Sequence, residues 1–255
     1  MSARIAALYS HPIKGFTPQR RERARLEPGA GFPGDRLFAV EDGPSGFDPA
    51  APRFIPKKRF AVLARIAEVA AVRTHYDEAA GKLRASAPGA PEFEASIASA
   101  QGRDAFSAWL AAALGEAAQG PLRLIDGAGH RFFDDPAGHV SVLNLESVRA
   151  LEARIGKSVD ARRFRANIHV DGWPAWVENG WSGRELRLGA AGGRVVGTIT
   201  RCAAPDVDPD TAERDLEITA ALHAFFGHML CGIYVQIVSG GEIGVGDAVS
   251  GPLAA

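Results

Sequence analysis

Cys202 is the residue with the clearest chemical potential, because the chain contains only two cysteines and this one directly follows an arginine. The thiolate form of cysteine attacks electrophiles and binds soft metals, and a neighbouring cation favours that form. Arg201 therefore predicts that the Cys202 sulfur is held as a thiolate. A buried structural cysteine is the alternative, since free cysteines are often buried and a single cysteine is a weak signal.

Four cationic motifs lie beside turn residues, where predicted strands begin or end. They are His11–Gly15 (HPIKG), Gly34–Arg36 (GDR), Arg162–Asn167 (RRFRAN) and Arg201–Cys202. Each motif alone is more simply a solvated charge at the end of a strand. Together they indicate an anionic ligand held between strand ends, because Arg and Lys donate charge-assisted hydrogen bonds to phosphate. The sequence contains neither a GxGxxG fingerprint nor a P-loop.

Length, charge and cysteine content limit the class of protein. A chain of 255 residues forms one large domain or two small ones, and 46% hydrophobic with 23% charged residues is ordinary for a soluble globular protein. A net charge of −1 argues against a broad nucleic-acid surface. Two cysteines cannot hold an iron–sulfur cluster, and the seven histidines lack the spacing of zinc ligands.

The N-terminus lacks the apolar run of a signal peptide, and no apolar stretch approaches the ~18 residues that span a bilayer. We therefore expect a cytoplasmic protein with no membrane partner.

Short apolar runs between turn residues predict that strands dominate the chain. The predicted strands are Arg4–Ser10, Asp35–Glu41, Lys82–Ser86, Leu122–Ile125, Asn167–Val170, Glu185–Leu188 and a run through Val195–Thr200 that ends at Cys202. Many short strands with Gly and Pro between them favour a barrel or a sandwich. Val62–Thr74 is compatible with a strand pair or a helix, and Met229–Val249 predicts a closing hairpin around Gly240-Gly241.

Three helices are predicted from apolar residues at helical spacing: Asp104–Leu114, Leu145–Ile155 and Asp215–Phe226. Asp104 and Asn144 are plausible N-caps, and a glycine follows each helix. The apolar stripes are most simply core-facing. A break at Gln119-Gly-Pro121 predicts one domain over residues 1–120 and a β-rich domain over residues 121–255.

Several stretches together resemble one family. The chain is similar to MOSC proteins, named after the C-terminal domain of molybdenum-cofactor sulfurase, and among them to the two-part type that includes the mitochondrial amidoxime-reducing component and bacterial relatives. The matching stretches are His11–Gly15, Gly34–Val40, Val140–Leu151, Arg162–Ile168, Thr200–Thr211 and Gly232–Val249. The resemblance implies a mostly β chain with a few helices (α+β): a β-barrel MOSC domain preceded by a smaller N-terminal β-barrel-like domain.

The resemblance also implies a molybdenum cofactor, which is a metal on a pterin dithiolene with a phosphate tail. Cys202 would be the metal ligand, and Cys202 and Arg201 would be the catalytic residues. The implied cofactor-binding residues are Lys14, Gly15, Arg36, His139, Arg165, Asn167, Thr200 and Tyr234. No iron–sulfur cluster is expected, and no pyridoxal phosphate is expected to be held by this chain.

The sequence departs from the family pattern at three places. Gly15 stands where the family often has serine, and Ala137-Gly138 falls where a Thr-Ser pair helps to bind the cofactor. His139 and Ser141 are nearby substitutes for those hydroxyls. The usual Asp-Pro-x-Thr-Gly ends here in Thr211-Ala212.

Three functions remain open from the sequence. The first is a molybdenum oxidoreductase that reduces N-hydroxylated or related N-oxygenated small molecules with electrons from an external donor protein. The second is a sulfur carrier that holds a persulfide on Cys202. The third is a non-catalytic protein that binds the molybdenum cofactor.

Overall fold

The computed structural model describes residues 3–252, which form fifteen β-strands and three α-helices. The strands are β1 (Arg4–Ser10), β2 (Gln19–Arg21), β3 (Arg23–Leu26), β4 (Phe38–Asp42), β5 (Arg73–Asp77), β6 (Lys82–Ser86), β7 (Phe93–Ser96), β8 (Leu122–Asp126), β9 (Val140–Asn144), β10 (Ile168–Asp171), β11 (Glu185–Leu188), β12 (Ala191–Thr200), β13 (Leu230–Ser239), β14 (Gly241–Gly244) and β15 (Val249–Ser250). The helices are α1 (Ala100–Leu114), α2 (Leu145–Ile155) and α3 (Ile218–Phe226). The prediction of a mostly β chain with a few helices (α+β) is confirmed.

An eight-stranded sheet forms the centre of the molecule, in the order β15-β11-β12-β13-β9-β10-β1-β2. Its pairs are antiparallel except β9 with β10, which run parallel. The sheet curls so that β1 approaches the segment before β15, at the opposite edge. There the Ile5 backbone N–H donates to the Asp247 carbonyl, and the Ile5 carbonyl accepts from the Gly246 N–H. Alternate side chains therefore point into a continuous apolar interior.

The first half of the chain adds a smaller assembly against this sheet. β4 pairs with β8, and β5, β6 and β7 form a three-stranded sheet. Helix α1 covers β7 and β8 and buries Phe106, Leu110 and Leu114 in a second core that also holds Phe16 and Phe38. Strands β1 and β2, although early in the chain, belong to the eight-stranded sheet.

Helix α1 begins four residues before its predicted start. Ser99 is its N-cap and accepts a hydrogen bond from the Gly102 backbone N–H at 3.1 Å. Gly102 is required there, since a Cβ atom would lie 1.8 Å from the carbonyl oxygen of Ser96. A glycine inside a helix weakens a sequence-based prediction, which is why the first turn was missed.

The predicted closing hairpin is wrong. β13 pairs with β12 and β9, whereas β14 pairs with β3 from the start of the chain. Gly241 allows this crossing, because a Cβ atom there would lie 2.7 Å from the backbone carbon of Ala190. The two glycines therefore mark a close backbone approach rather than a two-residue turn between paired strands.

Among residues 3–252, no helix has both the length and the apolar character that crossing a bilayer requires.

Candidate functional site

A pocket opens where several strands of the eight-stranded sheet end, and it encloses about 730 Å³, part of it open to solvent. Eight of the residues predicted from the sequence line it: Arg36, His139, Arg165, Asn167, Thr200, Arg201, Cys202 and Tyr234. The other two, Lys14 and Gly15, line a smaller adjoining cavity that also contacts Arg36, Arg165 and Cys202.

Cys202 lies two residues beyond the end of β12, as predicted, and its side chain is partly exposed. The cation beside its sulfur is Lys57, whose Nζ lies 3.1 Å from Sγ. Burial alone would lower the pKa of Lys57, but the charges of Asp134 and Cys202 outweigh it and raise that pKa. The Cys202 sulfur therefore lies next to an ammonium group at the edge of the pocket.

Arg201 makes its hydrogen bonds to backbone carbonyls rather than to the Cys202 sulfur. Its guanidinium donates through Nε to the Cys231 carbonyl at 2.7 Å and through Nη1 to the Phe164 carbonyl at 2.7 Å. It therefore fastens the end of β12 to β13 and to the segment before β10. Its neighbour Cys231 is fully buried in the core, and burial raises the pKa of that thiol to about 12.

Lys14 is only 3% exposed, and its ammonium group has two partners. Nζ donates to the Phe132 carbonyl at 2.9 Å and forms a short ion pair with the carboxylate of Asp134. Burial lowers the pKa of Lys14, and the Asp134 charge opposes that effect. The charges of Lys14 and Lys57 hold the pKa of Asp134 at about 2.

Asp35 and His11 hold the Arg36 guanidinium in place. Its Nη1 forms an ion pair with Asp35 and lies 3.0 Å from Nδ1 of His11, while Nη2 donates to the Arg165 carbonyl at 3.2 Å. Asp35 also accepts from the His11 backbone N–H at 2.6 Å. Burial and the positive charge of Arg36 lower the pKa of His11 to about 3, so its ring is neutral at pH 7.

Arg165 has free hydrogen-bonding capacity. Its Nη2 is buried and has no hydrogen-bond partner within residues 3–252. Burial and the charge of Arg36 lower the pKa of Arg165 to about 9, so it keeps its charge at neutral pH. Arg36 and Arg165 both have left-handed backbones, with φ of 49° and 52°, a conformation that is strained for a residue with a Cβ atom.

Three further residues of the pocket make their hydrogen bonds mainly to neighbouring side chains and to the backbone: Asn167, Ser141 and His139. Asn167 Oδ1 accepts from the Ser141 hydroxyl at 2.8 Å, and its amide donates to the Tyr9 carbonyl at 3.2 Å. His139 pairs through Nδ1 with Asp135 at 2.6 Å. These residues therefore shape the wall of the pocket. Burial raises the pKa of Tyr234, also in that wall, so its hydroxyl stays protonated and able to donate.

Glycines allow close packing at two points of the wall. Gly15 has φ of 89°, and a Cβ atom there would lie 2.9 Å from the carbonyl oxygen of Ala61. The ring of Phe133 sits between Gly31 and Gly138, where added Cβ atoms would come within 2.4 Å and 2.8 Å of it. The absence of serine at position 15 and of hydroxyls near position 138 thus has a packing reason.

The loop after Cys202 is anchored by Arg163, which is 3% exposed. Its guanidinium donates to the carbonyls of Pro205 and Asp206 at 3.3 Å and to the carboxylate of Asp208 at 2.8 Å. The other oxygen of Asp208 accepts from the backbone N–H groups of Asp210 and Thr211. Asp208 therefore forms a turn and does not face the pocket.

Sequence reasoning missed Lys57, Asp134 and Asp35 as residues of the site. Lys57 lies beyond a Gly- and Pro-rich stretch, and only the fold brings it to Cys202. Asp35 lies within a motif that was selected for its cation, and Asp134 lies outside all four cationic motifs. A signal was present in the second case, because a buried lysine such as Lys14 requires an anionic partner.

The arrangement is suited to hold an anion beside a sulfur ligand. Four cationic side chains, from Lys14, Arg36, Lys57 and Arg165, surround a space into which Cys202 projects. Within residues 3–252, no group of three or more His, Cys, Asp or Glu side chains is placed to hold a metal ion. A metal bound here would take Cys202 as its protein ligand.

Comparisons with known proteins follow the two halves of the chain. The family described as MOSC N-terminal beta barrel domain matches residues 2–120, and the MOSC domain family matches residues 129–250. Mitochondrial amidoxime-reducing component 1 of Mus musculus is 32% identical over 120 residues, which cover 42% of this chain and 35% of that protein. Mitochondrial amidoxime reducing component 2 of Bos taurus is 31% identical over 124 residues, which cover 43% of this chain and 36% of that protein.

The matched segments therefore span about a third of the length of these two relatives. Among solved structures, the YuaD protein from Bacillus subtilis aligns over 98% of this chain and 94% of its own, with 16% identity and a TM-score of 0.46.

Proposed function

This chain belongs to the MOSC family in its two-part form, with an N-terminal β-barrel domain before the MOSC domain, and from that premise we propose that it is a molybdenum-cofactor-binding oxidoreductase. Its substrates are N-hydroxylated or related N-oxygenated small molecules, and a separate donor protein supplies the electrons. We also propose the cytoplasm as its location, which fractionation of cells that make it tests. The observation that carries the proposal is the Cys202 sulfur at a pocket ringed by cations.

The residues present fit such a cofactor. A phosphate tail needs several donors, and the buried, unpartnered Nη2 of Arg165 is a donor without an acceptor. Arg36 and Lys14 lie in the same adjoining cavity and add charge. The Cys202 thiolate is a suitable soft ligand for molybdenum. We propose that these four residues hold the cofactor.

Each residue has a separate task in the proposed reaction. Lys57 places its ammonium group beside the Cys202 sulfur, and Arg201 fixes the backbone that positions that sulfur. Tyr234 and Thr200 line the wall near the sulfur, where a hydroxyl can hydrogen-bond an oxygen-bearing substrate. When bound, the molybdenum group supplies two-electron oxygen-transfer chemistry.

Metal analysis tests the proposal. We expect protein made in a host that synthesises the cofactor to carry close to one molybdenum and one pterin per chain. Cys202→Ala should lose most of the molybdenum and of the reductase activity, yet retain pterin, because the cations that hold the phosphate remain. Cys231→Ala, which removes the buried thiol, should retain both. A wild-type protein without molybdenum, or full metal content in Cys202→Ala, contradicts the proposal.

The same preparations separate the two other functions. A sulfur carrier would gain the mass of one sulfur atom at Cys202 after incubation with a cysteine desulfurase. A non-catalytic binding protein would hold molybdenum but show no turnover with a reduced donor. Either result would replace the oxidoreductase as the function.

A further inference from the structure

Asp134 is a carboxylate among cations. Its ion pair with Lys14 is short, and the positive charges of Lys14, Lys57 and Arg36 all lower its pKa. It lies in the loop between β8 and β9, and Phe133 anchors that loop between Gly31 and Gly138. A negative charge therefore stands in the space that the proposed anionic ligand would use.

Two aspartates face these cations, and the structure holds them differently. Asp35 is 1% exposed and accepts from the His11 backbone, the His11 ring and Arg36, so it is part of the core. The Asp134 side chain is 48% exposed, and its one hydrogen bond within residues 3–252 is the contact with Lys14. Asp134 can move away without breaking any other side-chain contact, whereas Asp35 cannot.

Lys14 explains why such a carboxylate is needed. A buried ammonium group without an anionic partner costs several kcal/mol, because water no longer solvates its charge. The carbonyl of Phe132 satisfies one of its three donors. Asp134 supplies the compensating charge, and any anion that reached Lys14 would supply it equally well.

We propose that Asp134 is a tethered competitor for the anionic group of the ligand. It neutralises Lys14 while the pocket is free and leaves when a phosphate group binds. Two anions beside the same ammonium repel each other, and this repulsion is strong where water is partly excluded.

This inference rests on the proposed function only in taking the ligand to carry phosphate. It predicts that Asp134 lowers the affinity of the site for free phosphate. A ligand must offset the cost of displacing Asp134 with binding energy from groups other than its phosphate. Small phosphates have no such groups and therefore bind weakly. Asp134 would thus favour a ligand that reaches both Lys14 and Cys202 over free phosphate.

The experiment uses the full chain, made in a host that cannot synthesise the cofactor, and inorganic phosphate as the probe. Isothermal titration calorimetry gives the Kd of the wild type and of Asp134→Asn. We expect the variant to bind phosphate roughly tenfold more tightly, since tenfold corresponds to about 1.4 kcal/mol and a repulsive charge has been removed. Thermal unfolding should show a larger rise in Tm with phosphate for the variant.

Two control variants remove the same charge elsewhere. Asp126→Asn lies at the end of β8, where Asp126 pairs with Arg103, and Asp104→Asn lies on the exposed face of α1. Both should leave the Kd for phosphate within about twofold of the wild type. Lys14→Met should weaken phosphate binding in the wild type and in Asp134→Asn.

Unchanged or weaker phosphate binding in folded Asp134→Asn would overturn the inference, since Asp134 would then stay in place or help to hold the ligand. An equal gain in Asp126→Asn would overturn it as well, because the effect would be one of general charge. These results are independent of molybdenum content, so failure here is distinct from failure of the proposed function.

Discussion

The charges around Cys202 are paired in a consistent way at the scale of single residues. Lys57 stands against the sulfur, Asp134 against Lys14, and Asp35 against Arg36. Arg165 keeps a buried donor atom, Nη2, without a hydrogen-bond partner among residues 3–252, and so does Arg163 at Nε. A ligand that satisfies Arg165 therefore adds a hydrogen bond that the protein itself does not make.

Gly15 gives a prediction at this scale, because the family often has serine there. We expect Gly15→Ser to lower the free energy of unfolding by roughly 2–3 kcal/mol, combining a left-handed φ with a Cβ atom too close to the Ala61 carbonyl. Urea unfolding followed by circular dichroism measures it.

Gly129→Ser is the matched control. Gly129 has φ of 95° but no atom within 4 Å of an added Cβ. It should cost only about 1 kcal/mol, the conformational part alone. Equal costs for the two variants would show that the contact with Ala61 does not matter.

The sequence predicted most of these residues but not their pairing. Residue type and position beside a predicted strand end were enough to select Arg36, Arg165 and Cys202. Lys57 and Asp134 depend on long-range contacts, with 145 and 120 residues separating them from Cys202 and Lys14. Local pattern carries no information on such contacts, so the sequence named Arg201 as the cation near Cys202 and did not indicate Lys57.

At the scale of elements, the pairing of β1 with β10 brings two buried histidines to the site. His169 on β10 pairs with Ala7 on β1, and His11 directly follows β1. Burial, as the largest effect, lowers the pKa of His11 to about 3 and of His169 to about 4, against 6.5 for a free side chain. Below pH 6.5 these two histidines therefore bind protons in the unfolded chain but stay neutral in the folded chain.

Stability should therefore fall as the pH drops from 8 to 5. Each of these histidines accounts for about 2 kcal/mol of that loss. The urea-unfolding free energy at both pH values measures the total. His169→Phe should reduce the loss by about 2 kcal/mol, whereas His75→Phe, at an exposed position, should leave it unchanged. A pH-independent free energy between 8 and 5 would refute this account.

The observed bounds of strands and helices agree with the predicted bounds where every local sequence signal indicates the same start and end. β1, β6, β11 and α2 have the predicted bounds, because apolar spacing, turn residues and the Asn144 cap all agree. Helix α3 begins three residues later than predicted, at Ile218, whose N–H donates to Asp206 from the loop after Cys202 at 2.8 Å. That cap comes from a different segment, so spacing alone could not indicate it.

The two halves of the chain are interleaved at the scale of the whole molecule. β1 and β2 complete the eight-stranded sheet, β3 pairs with β14, and β8 of the second half pairs with β4 of the first. The division at residue 120 stays a prediction about domains, and both halves contribute residues to the pocket. Composition indicated two parts, but strand partners across 200 residues lay beyond any local signal.

We therefore expect the two halves to fold together. A fragment of residues 121–255 lacks the partners of β10, β14 and β8, so three strands would have exposed edges. It should show no cooperative thermal transition alone and should gain one when mixed with residues 1–120. The intact chain should unfold in a single transition by circular dichroism and by tryptophan fluorescence. A cooperative melt of the isolated fragment would contradict this expectation.

The left-handed backbones of Arg36 and Arg165 have a consequence for engineering. Each residue occupies a conformation that glycine adopts at no steric cost, so a glycine there should relieve about 1 kcal/mol of strain. A thermostability screen without ligand would then favour losing the two guanidinium groups that face the pocket. Selection for a more robust protein should therefore include a cofactor-retention step, or stability will be gained at the expense of the site.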